Sequence, residues 1–257
     1  MAEDDIQRSK WEKFLALQDL TNVTAAILAG GLGTRLRSVV ADRPKVLAEI
    51  RGRPFLAYLL DQLISAGVRY VVLCTGYLGE QVRAAFGDSY ESLQLVYSQE
   101  SSPLGTAGAL RLAMPFFRSD SVLVINGDSF CEADLRAFWD WHCIRGAHNT
   151  NTLLLTWMPD TKRYGRVHVD VKGRVLGFDE KVDKSEPGWI NAGIYLLKHR
   201  LLLTIPADRA VSLEQKMFPA WIGRGLYGYR SKGRFLDIGT PEVYVLAEQF
   251  FAPEIPA

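Results

Sequence analysis

Cysteine is scarce and charge is balanced in this sequence of 257 residues, and each shortage excludes a class of protein. The three cysteines, Cys74, Cys131 and Cys143, show no metal-ligand spacing and cannot all pair with one another. Free thiols in a reducing cytoplasm account for them; a disulfide scaffold does not. The formal net charge is +1, whereas nucleic-acid binders usually carry a basic surplus. A small anionic ligand needs only a local cluster of cations, which a neutral total can hide. No window approaches the unbroken apolar length of a membrane span. The opening MAEDDIQRSKWEKFLALQDL lacks the basic start, apolar stretch and small-residue cleavage site of a secretory signal. The expectation is a soluble, cytoplasmic chain that binds neither nucleic acid nor membrane.

What is present suits one α/β unit. Hydrophobic residues make up 48% and charged residues 23%, enough apolar material for a real core. Residues 1–22 read as an N-terminal arm. There Trp11, Phe14, Leu15 and Leu17 fall near helical spacing, and a short amphipathic helix and a solvated leader fit equally. Residues 23–257 read as a single domain, about 23–130 forming one half and about 131–257 the other. In the first half, apolar strands at Val23–Leu28, Arg69–Cys74, Leu93–Tyr97 and Ser121–Ile125 alternate with helices at Pro54–Ala66, Gly79–Phe86 and Gly105–Ala113. That alternation predicts βαβ units and a mostly parallel sheet covered on both faces. Right-handed crossovers then gather the functional loops at the carboxyl edge of the sheet. After a helix at Asp134–Ile144, short strands at 150–157, 166–170, 174–179 and 189–197 predict a mixed-sheet extension. A helix over Thr240–Phe251, with Pro241 in its first turn, closes the domain.

The first strand runs into Leu28-Ala29-Gly30-Gly31-Leu32-Gly33-Thr34-Arg35-Leu36. Clustered glycines let backbone N–H groups approach an anion, Arg35 adds a fork of donors, and Lys45 supplies a compact cation. A P-loop requires lysine and Ser/Thr after the last glycine, where this chain has Thr34-Arg35. A dinucleotide fingerprint requires a third glycine where Leu36 stands. A glycine turn beside an incidental arginine also accounts for the loop by itself. Further on, Asn126-Gly127-Asp128 ends an apolar strand, which projects a carboxylate into a cleft where Mg²⁺ needs oxygen ligands; an ordinary turn is the alternative. Asp237 likewise sits at the end of an apolar run. Between Gln99-Glu100 and Pro103-Leu104-Gly105-Thr106 small residues offer a flat ring a place against backbone, and a capped helix start reads equally well.

Leu28 to Leu36 with Pro44-Lys45 resembles the N-terminal motif of the sugar-phosphate nucleotidyltransferases, and the resemblance runs from about Val23 to Phe250. It implies a Rossmann-like nucleotidyltransferase fold whose mixed-sheet half binds the sugar phosphate. It implies that Leu28, Ala29 and Gly31 line base and ribose, that Gly30 is also on the nucleotide, and that Gly33, Thr34, Arg35 and Lys45 hold the triphosphate. Gln99, Glu100, Pro103, Leu104, Gly105 and Thr106 would recognise the base, with Asn126 and Gly127 also on the nucleotide. Asp128 and Asp237 would ligate Mg²⁺. Tyr164-Gly165 would approach the sugar ring, as would Glu180, Asn191 and Ala192, and Lys181 would hold the sugar phosphate. Alone, these last segments read as a turn, a surface ion pair and a strand with a small-residue gap. Arg35, Lys45, Asp128, Lys181 and Asp237 are the expected catalytic set.

Three strings, Arg35–Val40, Phe55–Leu60 and Arg163–Val167, look most like those of the heptose 1-phosphate guanylyltransferases within that family. This implies GTP and a D-glycero-α-D-manno-heptose 1-phosphate as substrates, with GDP-heptose serving bacterial surface polysaccharide. Val46 departs from the usual Pro-Lys-Pro, and Ala192 from a frequent second glycine; neither removes a charge. Mannose 1-phosphate with GTP is the nearest alternative, then hexose or N-acetylmuramate 1-phosphates with UTP. A regulatory homologue that binds an NDP-sugar without making it would be expected to have lost one of the charged groups. A homodimer is expected only from the frequency of twofold assemblies.

Overall fold

The computed structural model describes residues 19–36, 39–40, 42–145, 150–179 and 186–252. The predicted arm therefore lies outside the described residues, apart from its last turn. That turn, Leu20–Asn22, is capped by the Asp19 side chain and buries Leu20, so the body begins slightly ahead of the expected boundary.

The elements follow in order: β1 (Thr24–Ala29), a small hairpin of β2 (Glu49–Ile50) and β3 (Arg53–Pro54), α1 (Phe55–Ala66) and β4 (Tyr70–Thr75). Then come α2 (Gly79–Phe86), β5 (Ser89–Tyr90), β6 (Leu93–Gln99), α3 (Gly105–Ala113), β7 (Ser121–Asn126), β8 (Ser129–Cys131) and α4 (Leu135–Ile144). The second half holds β9 (Asn151–Met158), β10 (Val167–Val169), β11 (Val175–Phe178) and β12 (Gly188–Lys198). It ends with short helices α5 (His199–Leu202) and α6 (Phe218–Trp221), then β13 (Leu226–Ser231), β14 (Phe235–Asp237) and α7 (Pro241–Phe250).

One eight-stranded sheet spans both halves, in the order β13-β9-β12-β7-β1-β4-β6-β5. The run β7-β1-β4-β6 is parallel, and β12 joins it antiparallel to β7. Of the expected mixed extension, β9 and β12 continue the same sheet, while β10 and β11 pair as a separate two-stranded sheet. Along β1 the side chains alternate between two cores. Ala25, Ile27 and Ala29 face a cluster that includes Phe55, Leu60 and Leu63 of α1 and Phe138 of α4. Ala26 faces a second cluster with Ala107 and Leu110 of α3, Phe218 and Trp221. This two-residue period, with both faces covered, is why β1, β4 and β7 read as nearly unbroken apolar runs. Gly67, at φ 97°, ends α1 in the left-handed conformation that glycine adopts without strain. Truncating a fully buried leucine such as Leu60 to alanine is expected to cost about 2–5 kcal/mol.

A buried histidine links the two halves. His142 of α4 is 1% exposed, its Nδ1 lying 2.8 Å from Thr152 Oγ1 and its Nε2 3.3 Å from Ser121 Oγ. Burial, aided by the charge of Lys198, pushes its pKa down to about 3 from an ordinary 6.5. The folded state therefore refuses a proton that the unfolded chain accepts, so stability falls as pH drops below the ordinary histidine value. The loss is about 1.4 kcal/mol per pH unit until the folded group titrates. Melting curves between about pH 7.5 and 4 should show a shallower acid decline in His142→Gln than in the parent, each referred to its own neutral value.

Candidate active site

Strand order reverses between β1 and β7, because β1 leads outward through β4 to β6 while β7 lies on its other side. A crevice must open at the carboxyl ends of these two strands. The Gly127 N–H donates to Leu28 O at 2.9 Å and ties the two strand ends together. A cleft of about 1300 Å³ lies there, lined by the glycine loop, by Asn126 to Ser129 and by residues of the second half.

Charge converges at its centre. Lys45 Nζ donates to Asp128 Oδ2 at 2.8 Å and stands 3.9 Å from Asp237 Oδ1, with its side chain only 11% exposed. Asp128 follows β7. Asp237 arrives from the far end of the chain because β14 pairs antiparallel with β8, setting Asp237 against Ser129. The Ile238 N–H closes this ribbon by donating to Asp128 O at 3.0 Å. Asp237 Oδ1 also accepts from the Gly239 N–H at 2.7 Å. A methyl group built on Gly239 would lie 3.3 Å from both Arg35 Nη2 and Lys45 Nζ. Bare backbone at that position is what lets two cations and a carboxylate meet. Tyr164 stands beside them, its hydroxyl pKa raised by burial and then by the Asp237 charge.

Among the described residues no group of three or more His, Cys, Asp or Glu could hold a metal by protein ligands alone. Two aspartates sharing one ammonium fit a cation that takes one or two carboxylates and completes its shell with phosphates and water, as Mg²⁺ does.

The loop beyond β1 is fixed by Leu36. Its side chain is 1% exposed and its N–H donates to Gly33 O at 2.9 Å, with Gly33 at φ 59°. The residue that breaks the dinucleotide pattern is therefore the anchor of the loop. Glu100 seats its carboxylate against the bare backbone of Gly30 and Gly76, where added methyl groups would come within 2.8 and 2.7 Å of Oε1. Its Oε2 accepts from the Leu104 N–H at 2.9 Å. Burial raises the Glu100 pKa, and the side chain holds the loop after β1, the turn after β4 and the start of α3 in register.

A model of the family described as nucleotidyl transferase matches residues 24–254. The chain belongs to that family. A mannose-1-phosphate guanylyltransferase of Mycobacterium tuberculosis is 38% identical over 227 residues, 87% of this chain; the chain spans 63% of that relative's length. A D-glycero-alpha-D-manno-heptose 1-phosphate guanylyltransferase of Aneurinibacillus thermoaerophilus is 38% identical over 226 residues, covering 88% of this chain and 96% of the relative. The crystal structure of HddC from Yersinia pseudotuberculosis matches with a TM-score of 0.79 at 32% identity, over 90% of this chain and 100% of that one. The same protein complexed with GMP-PN gives a TM-score of 0.78.

The nucleotidyltransferase cleft gathers most of the residues singled out in the sequence. Leu28, Ala29, Gly30, Gly31, Gly33, Thr34, Arg35, Lys45, Glu100, Pro103, Gly105, Thr106, Asn126, Gly127, Asp128, Tyr164, Gly165, Asn191 and Asp237 line it. Three are placed elsewhere. Gln99 is exposed and donates to Glu80 Oε1 at 2.8 Å. Leu104 stays off the cleft wall, its carbonyl accepting from the Val211 N–H at 2.8 Å. Ala192 is 1% exposed in the core beneath the sheet, because its neighbours Asn191 and Gly193 take the cleft face. Glu180 and Lys181 lie outside the described residues. The sequence reading missed Arg166, Ser212, Glu214 and Lys216, which line the second half of the cleft. Ser212 caps the turn that carries Glu214 by accepting from the Gln215 N–H, and that capping pattern was the available signal.

Two glycines of this nucleotidyltransferase test how tightly the crevice is built. A methyl group on Gly127 would fall 2.5 Å from Leu28 O, whereas one on Gly31 meets nothing within 4 Å. Gly127→Ala should cost about 1–3 kcal/mol, lowering Tm by several degrees, and Gly31→Ala should leave Tm within about a degree. Differential scanning calorimetry of the pair checks the contrast.

Proposed function

We propose that this nucleotidyltransferase transfers GMP from GTP to a D-glycero-α-D-manno-heptose 1-phosphate, releasing pyrophosphate and forming GDP-heptose. The observation that carries the reading is the meeting of Lys45, Arg35, Asp128 and Asp237 beneath the glycine loop. The relative from Aneurinibacillus thermoaerophilus, matched over nearly its full length, supports the sugar and the base. The 38% identity to the mycobacterial protein favours mannose 1-phosphate as the second reading.

In the proposed reaction a sugar-phosphate oxygen forms a bond to the α-phosphorus in line, and the bond from that phosphorus to the bridging oxygen breaks. The electron pair leaves with pyrophosphate. The nucleophile is already ionised at neutral pH, so no protein base is needed. Catalysis consists of holding two anions together and neutralising the charge between them. Arg35 and Lys45 would offset charge on the triphosphate, and the cleft wall from Tyr164 to Arg166 would seat the sugar. Asp128 and Asp237 would hold Mg²⁺, whose charge would orient the phosphates and stabilise the leaving group. Lys181 would bind the incoming phosphate.

No helix among the described residues is long and apolar enough to cross a membrane. We place the enzyme in the cytoplasm, where its nucleotide substrate is made, and expect a homodimer, which light scattering would check.

A pyrophosphate-release assay with Mg²⁺, crossing GTP, UTP, CTP, dTTP and ATP against heptose, mannose and glucose 1-phosphates, tests the assignment. GTP with the heptose phosphate should be the fastest pair; a faster pair would replace the substrates. Asp128→Asn should lower the rate about a hundredfold, on the order of 3 kcal/mol in the barrier, at nearly unchanged Tm. Near-normal turnover in that variant would remove Asp128 from the chemistry.

A further inference from the structure

A polar network crosses the floor of the cleft, and the charged groups of the reaction leave it unexplained. It centres on Tyr195 of β12, whose side chain is fully buried. The strand carries a bulge between Asn191 and Tyr195, with Gly193 at φ 75°. The Gly193 N–H donates to Asn191 Oδ1 at 2.9 Å, which turns Asn191 Nδ2 toward the Tyr195 hydroxyl, also at 2.9 Å. Asn126 Nδ2 points at the same oxygen from β7, at 3.4 Å. Two amide donors aimed at one hydroxyl occupy its acceptor capacity and send its single proton the other way. That proton faces Glu214 Oε1 at 3.4 Å.

The far side of Glu214 is filled. Its Oε2 accepts from Thr106 Oγ1 at 2.8 Å and from Ser212 Oγ at 3.0 Å. Oε1 has only the long Tyr195 contact, and Asn126 Oδ1 is buried without any hydrogen-bond partner. Both residues line the cleft. Glu214 Oε1 thus has capacity to spare on the cleft wall, whereas Asn126 Oδ1 is closed to solvent. A carboxylate oxygen on a cleft wall with a single long donor contact gains from a ligand that supplies another donor. Phosphate cannot do so, since it would bring further acceptors. A ring bearing hydroxyl groups can.

We infer that Glu214 Oε1 receives a hydroxyl of a sugar ring, which makes Glu214 a specificity-determining residue and Tyr195 its positioning residue. The inference rests on the proposed function for the identity of that ring. The hydroxyl comes either from the sugar that accepts the nucleotide or from the ribose.

Titration calorimetry of the parent and Glu214→Gln, with GDP-mannose and with GDP, tests this without requiring turnover. GDP-mannose shares the manno configuration named for the heptose. The variant keeps the shape and loses the anionic acceptor. It should bind GDP-mannose about 10- to 100-fold more weakly, the range expected for a hydrogen bond to a charged group. If the hydroxyl is the sugar's, GDP affinity stays within about twofold; if it is the ribose's, GDP weakens by the same factor. Deoxy analogues at each ring position supply the readout that a merely structural role would not move. One analogue should bind the parent weakly and lose little more in the variant, the non-additivity expected of a direct contact. Unchanged affinities in the variant overturn the inference, as does a parent protein indifferent to every deoxy position. The second of these needs no variant to fold. A protein that passes these binding tests yet releases no pyrophosphate overturns the proposed reaction and leaves this inference standing. A protein that binds neither ligand overturns both.

Discussion

An ammonium group held between two carboxylates organises this molecule's cleft. Lys45 comes from the segment after the glycine loop, Asp128 from the end of β7 and Asp237 from the end of β14. Two aspartates brought this close repel unless a cation stands between them, and Lys45 supplies it from a side chain almost wholly withdrawn from water. The sheet makes the meeting possible. Reversal of strand order beside β1 leaves a crevice that no helix fills, and the β8–β14 ribbon delivers the second carboxylate across it. The same cluster that neutralises itself in the absence of ligand offers both signs of charge to a polyphosphate.

Around this cluster the cleft is shaped by what is missing from backbone positions. Gly239 lets Arg35 and Lys45 approach, Gly127 lets β7 close against β1, and Gly30 with Gly76 seats the Glu100 carboxylate. Charged side chains resting on bare backbone are fixed by contact on one side while the other faces the cleft. That arrangement suits catalysis by positioning, where the protein's groups should reorganise little as charge moves. The glycines serve geometry here more than flexibility.

Much of this was legible in the sequence because the parallel core strands are buried on both faces and end where the ligand loops begin. Val23 to Leu28, Arg69 to Cys74 and Ser121 to Ile125 each announced a strand, and the residues following the first and the last of them line the cleft. Asp237 was legible for the same reason, at the end of an apolar run. What escaped notice depends on contacts between distant segments. The β13 strand, Leu226–Ser231, carries Gly228, which breaks the apolar pattern; its close approach to Leu155 leaves no room for a larger side chain. Glu214 sits on one wide turn, Leu213–Met217, and acquires meaning only beside Thr106 and Tyr195. Ala192 shows the converse. Asn191 and Ala192 were expected side by side at the sugar, but alternate side chains of a strand face opposite ways and Ala192 enters the core.

The ribbon of β8 and β14 joins its two strands by only three paired positions, Phe235 with Cys131, Leu236 with Phe130 and Asp237 with Ser129. The spacing of the two central carboxylates is thus written into a local register and not into the long stretch of chain between them. Loops and strands within that stretch can lengthen, shorten or change their sugar-facing residues while the charged centre stays as it is. A slip of one residue in the ribbon would turn Asp237 to the opposite face and dismantle the centre at once. The fold therefore separates a part of the cleft free to vary from a part that tolerates no change of phase, and joins them through a few backbone hydrogen bonds.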